Sequence, residues 1–400
     1  MRIAFVTWCI PYPPDTGGKN RTYNLVKNLA RRHQVDLHIP SYRPVDDFGD
    51  LASLCKGIEV YKFRTWTKRE WAQRLLRLTP MTVIAIARPD AVAAMQRVLA
   101  ERAYDLILVD ELAMAPYAWK LHDTPRIMLR QKAEFLFSWD VALRSPWGKR
   151  KFLNLIESAL LRLYEPKVWS IYRKGMVVSE QERDLFSSID DRLELCIAPN
   201  GVDLELFELK PMVETKEPML LYHGTMSYYP NVDAVFFFFD RIYPLIRQQM
   251  PAFKVMVVGR DPPPEVEALE NKYDNVRVTG KVPDMRPYLE QSTVVMVPLR
   301  IGHGTRLKIP EAMAVGRPVV STSIGCEGLV AQDGLHLLIA DTPQAFADQV
   351  VRLARDVTLW RHLADNGRRL VEEAYSWESI SAQVERFCCK VAEEKNRDGQ

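Results

Sequence analysis

The 400-residue chain has no uninterrupted apolar run approaching the roughly 18 residues of a membrane-spanning helix. Its densest apolar stretch, Phe236–Phe239, is bracketed by Asp233 and Asp240. Excess charge is missing too: 54 Lys and Arg stand against 51 Asp and Glu, a net +3, so bulk electrostatics makes no case for nucleic acid. Cysteine is sparse. The six residues (9, 55, 196, 326, 388 and 389) lack paired metal-ligand spacing, and the adjacent pair Cys388-Cys389 is poorly placed for a mutual disulfide. Reduced cytoplasmic thiols and no structural zinc are expected. The seven histidines form no cluster. No G-x-G-x-x-G fingerprint opens the chain, which argues against a nicotinamide site. No Asp-x-Asp occurs in a plausible place, because Asp46-Asp47 and Asp190-Asp191 lack the middle residue; no metal site is expected. Arg2 and a short uncharged stretch before Pro11 read as a first strand, not as a secretory leader.

Alternation is what the chain does have. Strands are expected at Arg2–Thr7, Val35–Ile39, Asp105–Val109, Arg126–Leu129, Met176–Ser179 and Cys196–Asn200, with helices between them. The pattern restarts with strands at Met219–His223, Lys254–Val258, Val276–Thr279, Val294–Leu299 and Leu337–Ile339. One helix is expected over Val232–Arg247, and further helices over Phe346–Arg355, Trp360–Glu373 and Trp377–Glu393. Between the halves, Glu205–Pro218 is polar, holds two prolines and reads as a linker. These features predict an α/β protein of two doubly wound, Rossmann-like domains facing a cleft. The domains are 1–205 and 206–375, with a C-terminal helix (376–400) crossing back to the first.

Two places suit a ligand. Ile10–Asn20 (IPYPPDTGGKN) joins a strand to a helix, and Gly17 and Gly18 would let the backbone approach a ligand without a Cβ in the way. Arg130, Lys132 and Glu134 follow a strand end directly and should face the cleft. The second place is Pro298–Thr322, PLRIGHGTRLKIPEAMAVGRPVVST: a Gly-punctuated basic loop opens a short helix over Ile309–Val315. Free amides at such a helix start favour an anion, and Arg306 and Lys308 add full positive charge. Glu311 in the first turn cannot be a phosphate ligand, but its two oxygens can accept from a vicinal diol. Phosphate plus diol describes a nucleotide; an ordinary βαβ turn with solvated charges fits the same letters.

Two segments are basic and aromatic. Lys62–Arg77 has six Lys or Arg against one Glu, with Trp66 and Trp71. Trp139–Lys174 has eight against three acids, with Trp139, Trp147, Tyr164, Trp169 and Tyr172. Such helices suit an anionic membrane surface, compete as nucleic-acid binders, or are ordinary domain surface with snorkelling arginines.

Taken together, YPPDTGGKNR, the NGVD at Asn200–Asp203, GTMSYYPNVDA (Gly224–Ala234), VTGKVPDMRPYL (Val278–Leu289) and the Pro298–Thr322 stretch resemble glycosyltransferase family 4, retaining enzymes of the GT-B fold. Within it, G-T-R-L-K-I before E-A-M-A is similar to bacterial exopolysaccharide sugar transferases. The resemblance implies that Glu311 holds the ribose hydroxyls. It gives the diphosphate of a nucleotide-sugar donor, of UDP or GDP type, to the loop His303, Gly304 and Thr305 with Arg306 and Lys308. Gly17 and Gly18 would close on the same group, Gly224 would lie in the donor site, and Val282 would hold the base through its backbone. Glu134 falls where members carry H-N-V-E. Three departures stand out: His303 replaces a Glu common eight residues before the one matching Glu311, Lys132 stands at the His of H-N-V-E, and Met226 and Tyr229 occupy a region that often holds Arg and Lys. Arg306 and Lys308 are then expected to supply the missing charge, with Glu134 and Lys132 as the other catalytic candidates. The expected activity is transfer of a hexose with retention, without a metal, to a hydroxyl of a lipid-linked or membrane-held glycan. The protein would be cytoplasmic and peripheral at the inner face of the membrane, with no nucleic-acid partner. An epimerase or phosphorylase on the same plan, or a non-catalytic nucleotide-sugar binder, are the alternatives.

Overall fold

The computed structural model describes residues 1–42, 47–212, 217–301 and 306–398. The chain divides into two compact units, Met1–Asn200 with Ile380–Gln400, and Gly201–Ser379.

The first unit is built on seven strands: β1 (Arg2–Val6), β2 (Gln34–Ser41), β3 (Gly57–Lys62), β4 (Leu106–Asp110), β5 (Arg126–Leu129), β6 (Lys174–Val177) and β7 (Glu194–Ile197). Their order is β3-β2-β1-β4-β5-β6-β7, and every pairing is parallel. Every residue of β4, LILVD, is buried, as expected of a parallel strand covered on both faces. Strand β3 was not expected from the sequence. Its residues GIEVYK are mostly half-buried at the sheet edge, so no apolar run marks it.

The second unit holds β8 (Met219–His223), β9 (Lys254–Val258), β10 (Val276–Val278), β11 (Val294–Val297), β12 (Val319–Ser321) and β13 (Leu338–Ile339). The order is β10-β9-β8-β11-β12-β13, again all parallel. Each sheet therefore has one point where the winding direction reverses, between β1 and β4 and between β8 and β11. Ligands of open α/β sheets bind beyond the strand ends at such points.

Three local expectations need correcting. The helix read over Val232–Arg247 is a helix Tyr229–Phe237, a π-helical turn Phe238–Ile242 and a helix Tyr243–Gln249. Pro244 lacks the N–H that a continuous ladder would use there. The stretch Glu205–Pro218 is not a free linker in its described part: the buried Arg317 donates from Nη1 to the carbonyl of Lys210 (3.0 Å) and from Nη2 to that of Pro211 (2.9 Å). Arg130 does not face outward, because its guanidinium is buried between Glu165 and Glu134.

The helix Trp377–Asp398 carries the chain back into the first unit from Ile380 onward. Cys388 is buried there, and Glu385 pairs with Arg32 at 2.8 Å.

Candidate active site

At the reversal point of the second unit, His223 ends β8 and Gly224 follows with φ +157°. A Cβ on Gly224 would lie 2.8 Å from Asn231 Nδ2, and a Cβ on Gly259 would lie 1.8 Å from the Gly224 carbonyl oxygen. Gly259 thus lets the ends of β8 and β9 touch, and Gly224 makes room for the Asn231 amide. Asn231, on the helix Tyr229–Phe237, donates from Nδ2 to the carbonyl of Thr225 (2.8 Å). Its Oδ1 accepts from the Tyr222 hydroxyl (2.9 Å) and from Lys308 Nζ (3.1 Å). The same ammonium lies 4.5 Å from the centre of the Tyr222 ring.

Lys308 is the first residue of the helix Lys308–Ala314, one residue earlier than the sequence predicted, and Glu311 stands one turn on. Arg306, Lys308 and Glu311 are all half-buried and keep access to solvent. Burial and the neighbouring Arg306 charge bring Lys308 down to about 7, with Glu311 opposing. Burial brings Glu311 up to about 7, with Lys308 opposing. Burial and the Lys308 charge push His223 down to about 3, so it is neutral at physiological pH. Its Nε2 is buried without a partner among the described residues. An ammonium and a carboxyl this easily discharged are set up for a ligand that brings an anion to one and hydroxyls to the other.

His303, Gly304 and Thr305 lie outside the described residues. Val282 is half-buried and packs on the core of the second unit, at the loop after β10.

The first unit gathers its polar groups at its own reversal point. Asp110, the last residue of β4, is buried and accepts from Thr7 Oγ1 (3.1 Å) and Thr22 Oγ1 (2.7 Å). It thereby ties β1 and β4 to the helix Gly17–Ala30, which opens with Gly17 and Gly18 and is capped by Thr16. Burial pushes Asp110 up, against the Thr22 hydrogen bond and the Arg21 charge. The next residue, Glu111, has φ +78° and ψ 151°, a conformation costing a non-glycine residue about 1–3 kcal/mol. Burial, then the charges of Glu134 and Asp110, hold the Glu111 carboxyl well above the usual range.

Arg130 follows β5 and forms ion pairs with Glu165 and Glu134 while fully buried. Glu134 opens the helix Glu134–Arg144. Lys132 turns away from this cluster, its ammonium 4.1 Å from the centre of the Phe137 ring. A Cβ on Gly18 would lie 3.5 Å from Gln131 Oε1, so the Gln131 amide faces the glycine turn.

Residues 217–356, which contain Gly224, Val282, Arg306, Lys308 and Glu311, match the family model described as Glycosyl transferases group 1. The chain is 21% identical over 399 residues to an uncharacterized 44.6 kDa protein in the cps region of Klebsiella pneumoniae, covering 96% of this chain and 98% of that one. Over 144 residues it is 27% identical to a phosphatidyl-myo-inositol mannosyltransferase of Mycobacterium leprae, covering 35% of this chain and 38% of the relative. Among solved structures it resembles sucrose-phosphate synthase from Thermosynechococcus elongatus, with TM-score 0.71, 19% identity, and 98% and 99% of the two chains covered. It also resembles Anabaena HepE, solved in complex with UDP, with TM-score 0.68, 14% identity, and 98% and 100% covered. The fold is GT-B, two Rossmann-like domains of seven and six parallel strands.

The register of the resemblance to H-N-V-E also needs correcting. Three residues before Glu134, where the His of H-N-V-E would stand, is Gln131 and not Lys132. Sequence reasoning missed Asn231 as well, although it lies inside the GTMSYYPNVDA motif. Nothing in its spacing shows that its amide oxygen reaches a lysine 77 positions on.

The two basic-aromatic segments separate into core and surface. Tyr164, Trp169 and Tyr172 are buried. Trp139, Leu143, Trp147, Phe152 and Leu153 are exposed, Trp147 to 91%, and they surround the connection between the helices Glu134–Arg144 and Lys149–Tyr172. Among the described residues no helix is long and apolar enough to cross a membrane.

Proposed function

We propose that the protein transfers a sugar from a nucleotide-diphosphate donor to a hydroxyl acceptor. The observation that carries this reading is the Lys308 ammonium, fixed by Asn231 and Tyr222 beside Glu311 at the reversal point of a group 1 domain. In this reading Lys308 and Arg306 bind the diphosphate, and the ionised Glu311 accepts from both ribose hydroxyls. His303, Gly304 and Thr305 are assigned to the same diphosphate, and Val282 borders the base. HepE was solved with UDP, which favours a uridine donor over a guanosine one.

The reaction breaks the bond between the anomeric carbon and the donor phosphate oxygen, whose electron pair stays on the leaving diphosphate. Fixed cations stabilise the charge that develops there. The acceptor oxygen attacks the same face, and its proton passes to the departing phosphate oxygen. No protein base is then needed, which accords with Gln131 where a His is common, and the anomeric configuration is retained. Turnover is expected to persist in excess chelator, since Arg306 and Lys308 meet the leaving-group charge.

The relative in a cps region favours a surface polysaccharide as the product, and the exposed Trp147 and Phe152 beside Lys149, Arg150 and Lys151 favour a lipid-linked acceptor at an anionic bilayer. Assay of the purified protein with radiolabelled UDP-sugars tests the reading. Transfer with a retained anomer that is lost in Arg306→Ala supports it, and normal turnover by Arg306→Ala or an inverted product would overturn it.

A further inference from the structure

The first unit contains a groove of about 650 Å³, distinct from the strand-end site. Four cations line it, Arg74, Arg77, Lys120 and Lys167, and no acidic side chain does. Among the described residues none of the four forms an ion pair with a carboxylate. Arg74 instead lies 5.5 Å from the Trp66 ring centre and Lys167 5.2 Å from that of Trp119. Tyr164 also lines the groove, 8% exposed, and its hydroxyl has no hydrogen-bond partner among the described residues. Arg74 is close enough for its charge to act on that hydroxyl. A buried hydroxyl without a partner costs free energy that a bound acceptor would return.

The remaining wall is aliphatic, including Val83, Ile84, Val92 and Leu163. Hydrogen-bonding side chains are few: of the two neutral amides and hydroxyls besides Tyr164, Gln96 is already committed to the Pro116 carbonyl at 2.8 Å. A sugar or a base would find little to bond here. An anion joined to a hydrocarbon chain would find both halves satisfied, and the volume is that of an ordinary ligand site of about 300–1,000 Å³. Of the lining side chains, Leu78 and Leu163 are exposed to 58% and 65%. Apolar side chains at the mouth of a cationic groove suit a ligand drawn from a bilayer.

We propose that this groove binds one molecule of a phosphate-headed lipid, its head held by Arg74, Lys120, Lys167 and the Tyr164 hydroxyl and its chain lying along the aliphatic wall. The inference does not depend on the sugar-transfer reading, because none of these residues belongs to the strand-end sites of either unit.

The test titrates the full chain with dihexanoyl phosphatidic acid below its micelle concentration, following tryptophan fluorescence and calorimetry. Dihexanoyl phosphatidylcholine and inorganic phosphate are the comparison probes. The expected result is saturable binding of phosphatidic acid, at least about tenfold weaker binding of phosphatidylcholine, and none of phosphate alone. The double variant Arg74→Gln/Lys167→Gln should weaken phosphatidic acid binding by about tenfold or more while unfolding at the wild-type temperature. Tyr164→Phe should also weaken it, without loss of stability, since it removes an unpaired hydroxyl. Equal binding of inorganic phosphate, no saturable binding of phosphatidic acid, or wild-type affinity in the double variant would each overturn the proposal. UDP binding by the same preparation shows separately whether the nucleotide reading stands.

Discussion

Lys308 Nζ lies 3.1 Å from Asn231 Oδ1, so a cation at the start of one helix is held by an amide near the start of another, across the end of β8. Among the described residues the ammonium forms no ion pair with a carboxylate.

Replacing the amide by an acid should therefore cancel the charge without disturbing the shape. Asn231→Asp is expected to cut turnover by about 10- to 100-fold, the equivalent of roughly 1.5–3 kcal/mol for a hydrogen bond to a charged group. The Lys308 titration should move upward as the new carboxylate stabilises the ammonium. Enzyme kinetics with parallel thermal unfolding checks this; unchanged kcat/KM would remove Asn231 from the site.

The two shifted groups set the pH dependence of donor binding. Lys308 titrates at about 7 when the site is empty, and a bound diphosphate raises that value, so binding takes up a proton above pH 7 and weakens as pH rises. Glu311 also titrates at about 7, and a bound diol favours its ionised form, so binding releases a proton below pH 7 and weakens as pH falls. Affinity for UDP-glucose, whose diphosphate does not titrate in this range, should peak near neutrality. Calorimetry across pH should find the alkaline limb gone in Lys308→Met and the acid limb gone in Glu311→Gln.

How much of this was legible beforehand varied with the physics involved. Val294–Val297 and Leu106–Asp110 are fully buried strands, and continuous apolar runs announce them. That Lys308 and Glu311 share one helix was readable because the two are contiguous in the chain. β3 was not, because a half-buried edge strand carries no strong alternation. Arg130 misled for a different reason: a residue just past a strand end is exposed by default, and only the distant Glu165 makes its burial tolerable. Asn231 shows the same limit, since its partner lies on another helix.

Gly259 leaves no room for a side chain. A methyl group there would stand 1.8 Å from a backbone oxygen, which no rotamer change relieves. Gly259→Ala should destabilise the second unit by at least about 3 kcal/mol, the upper range of overpacking, as read from urea unfolding. Gly17→Ala, which would meet nothing within 4 Å, should leave stability nearly unchanged.

Arg130→Met should be far more damaging than its size suggests. It leaves Glu165 and its neighbours as buried carboxylates without a cation, a loss of about 3–5 kcal/mol. Glu165 already titrates at about 7 because of burial. Loss of the Arg130 charge should raise the folded value further, so the variant should gain stability as pH falls from above 7 toward 4.5 and lose it as pH rises. Thermal unfolding at pH 5 and pH 8 measures the sign.

The most direct measurement is thermal unfolding of the full chain with UDP, GDP, ADP and CDP, repeated in Glu311→Ala. A ligand at a hundred times its dissociation constant adds about 2.7 kcal/mol. One nucleotide, expected to be UDP, should raise the transition by a few degrees, and the shift should disappear in Glu311→Ala. A shift of equal size in that variant, or no shift with any nucleotide, would contradict the assignment of Lys308 and Glu311 to the donor.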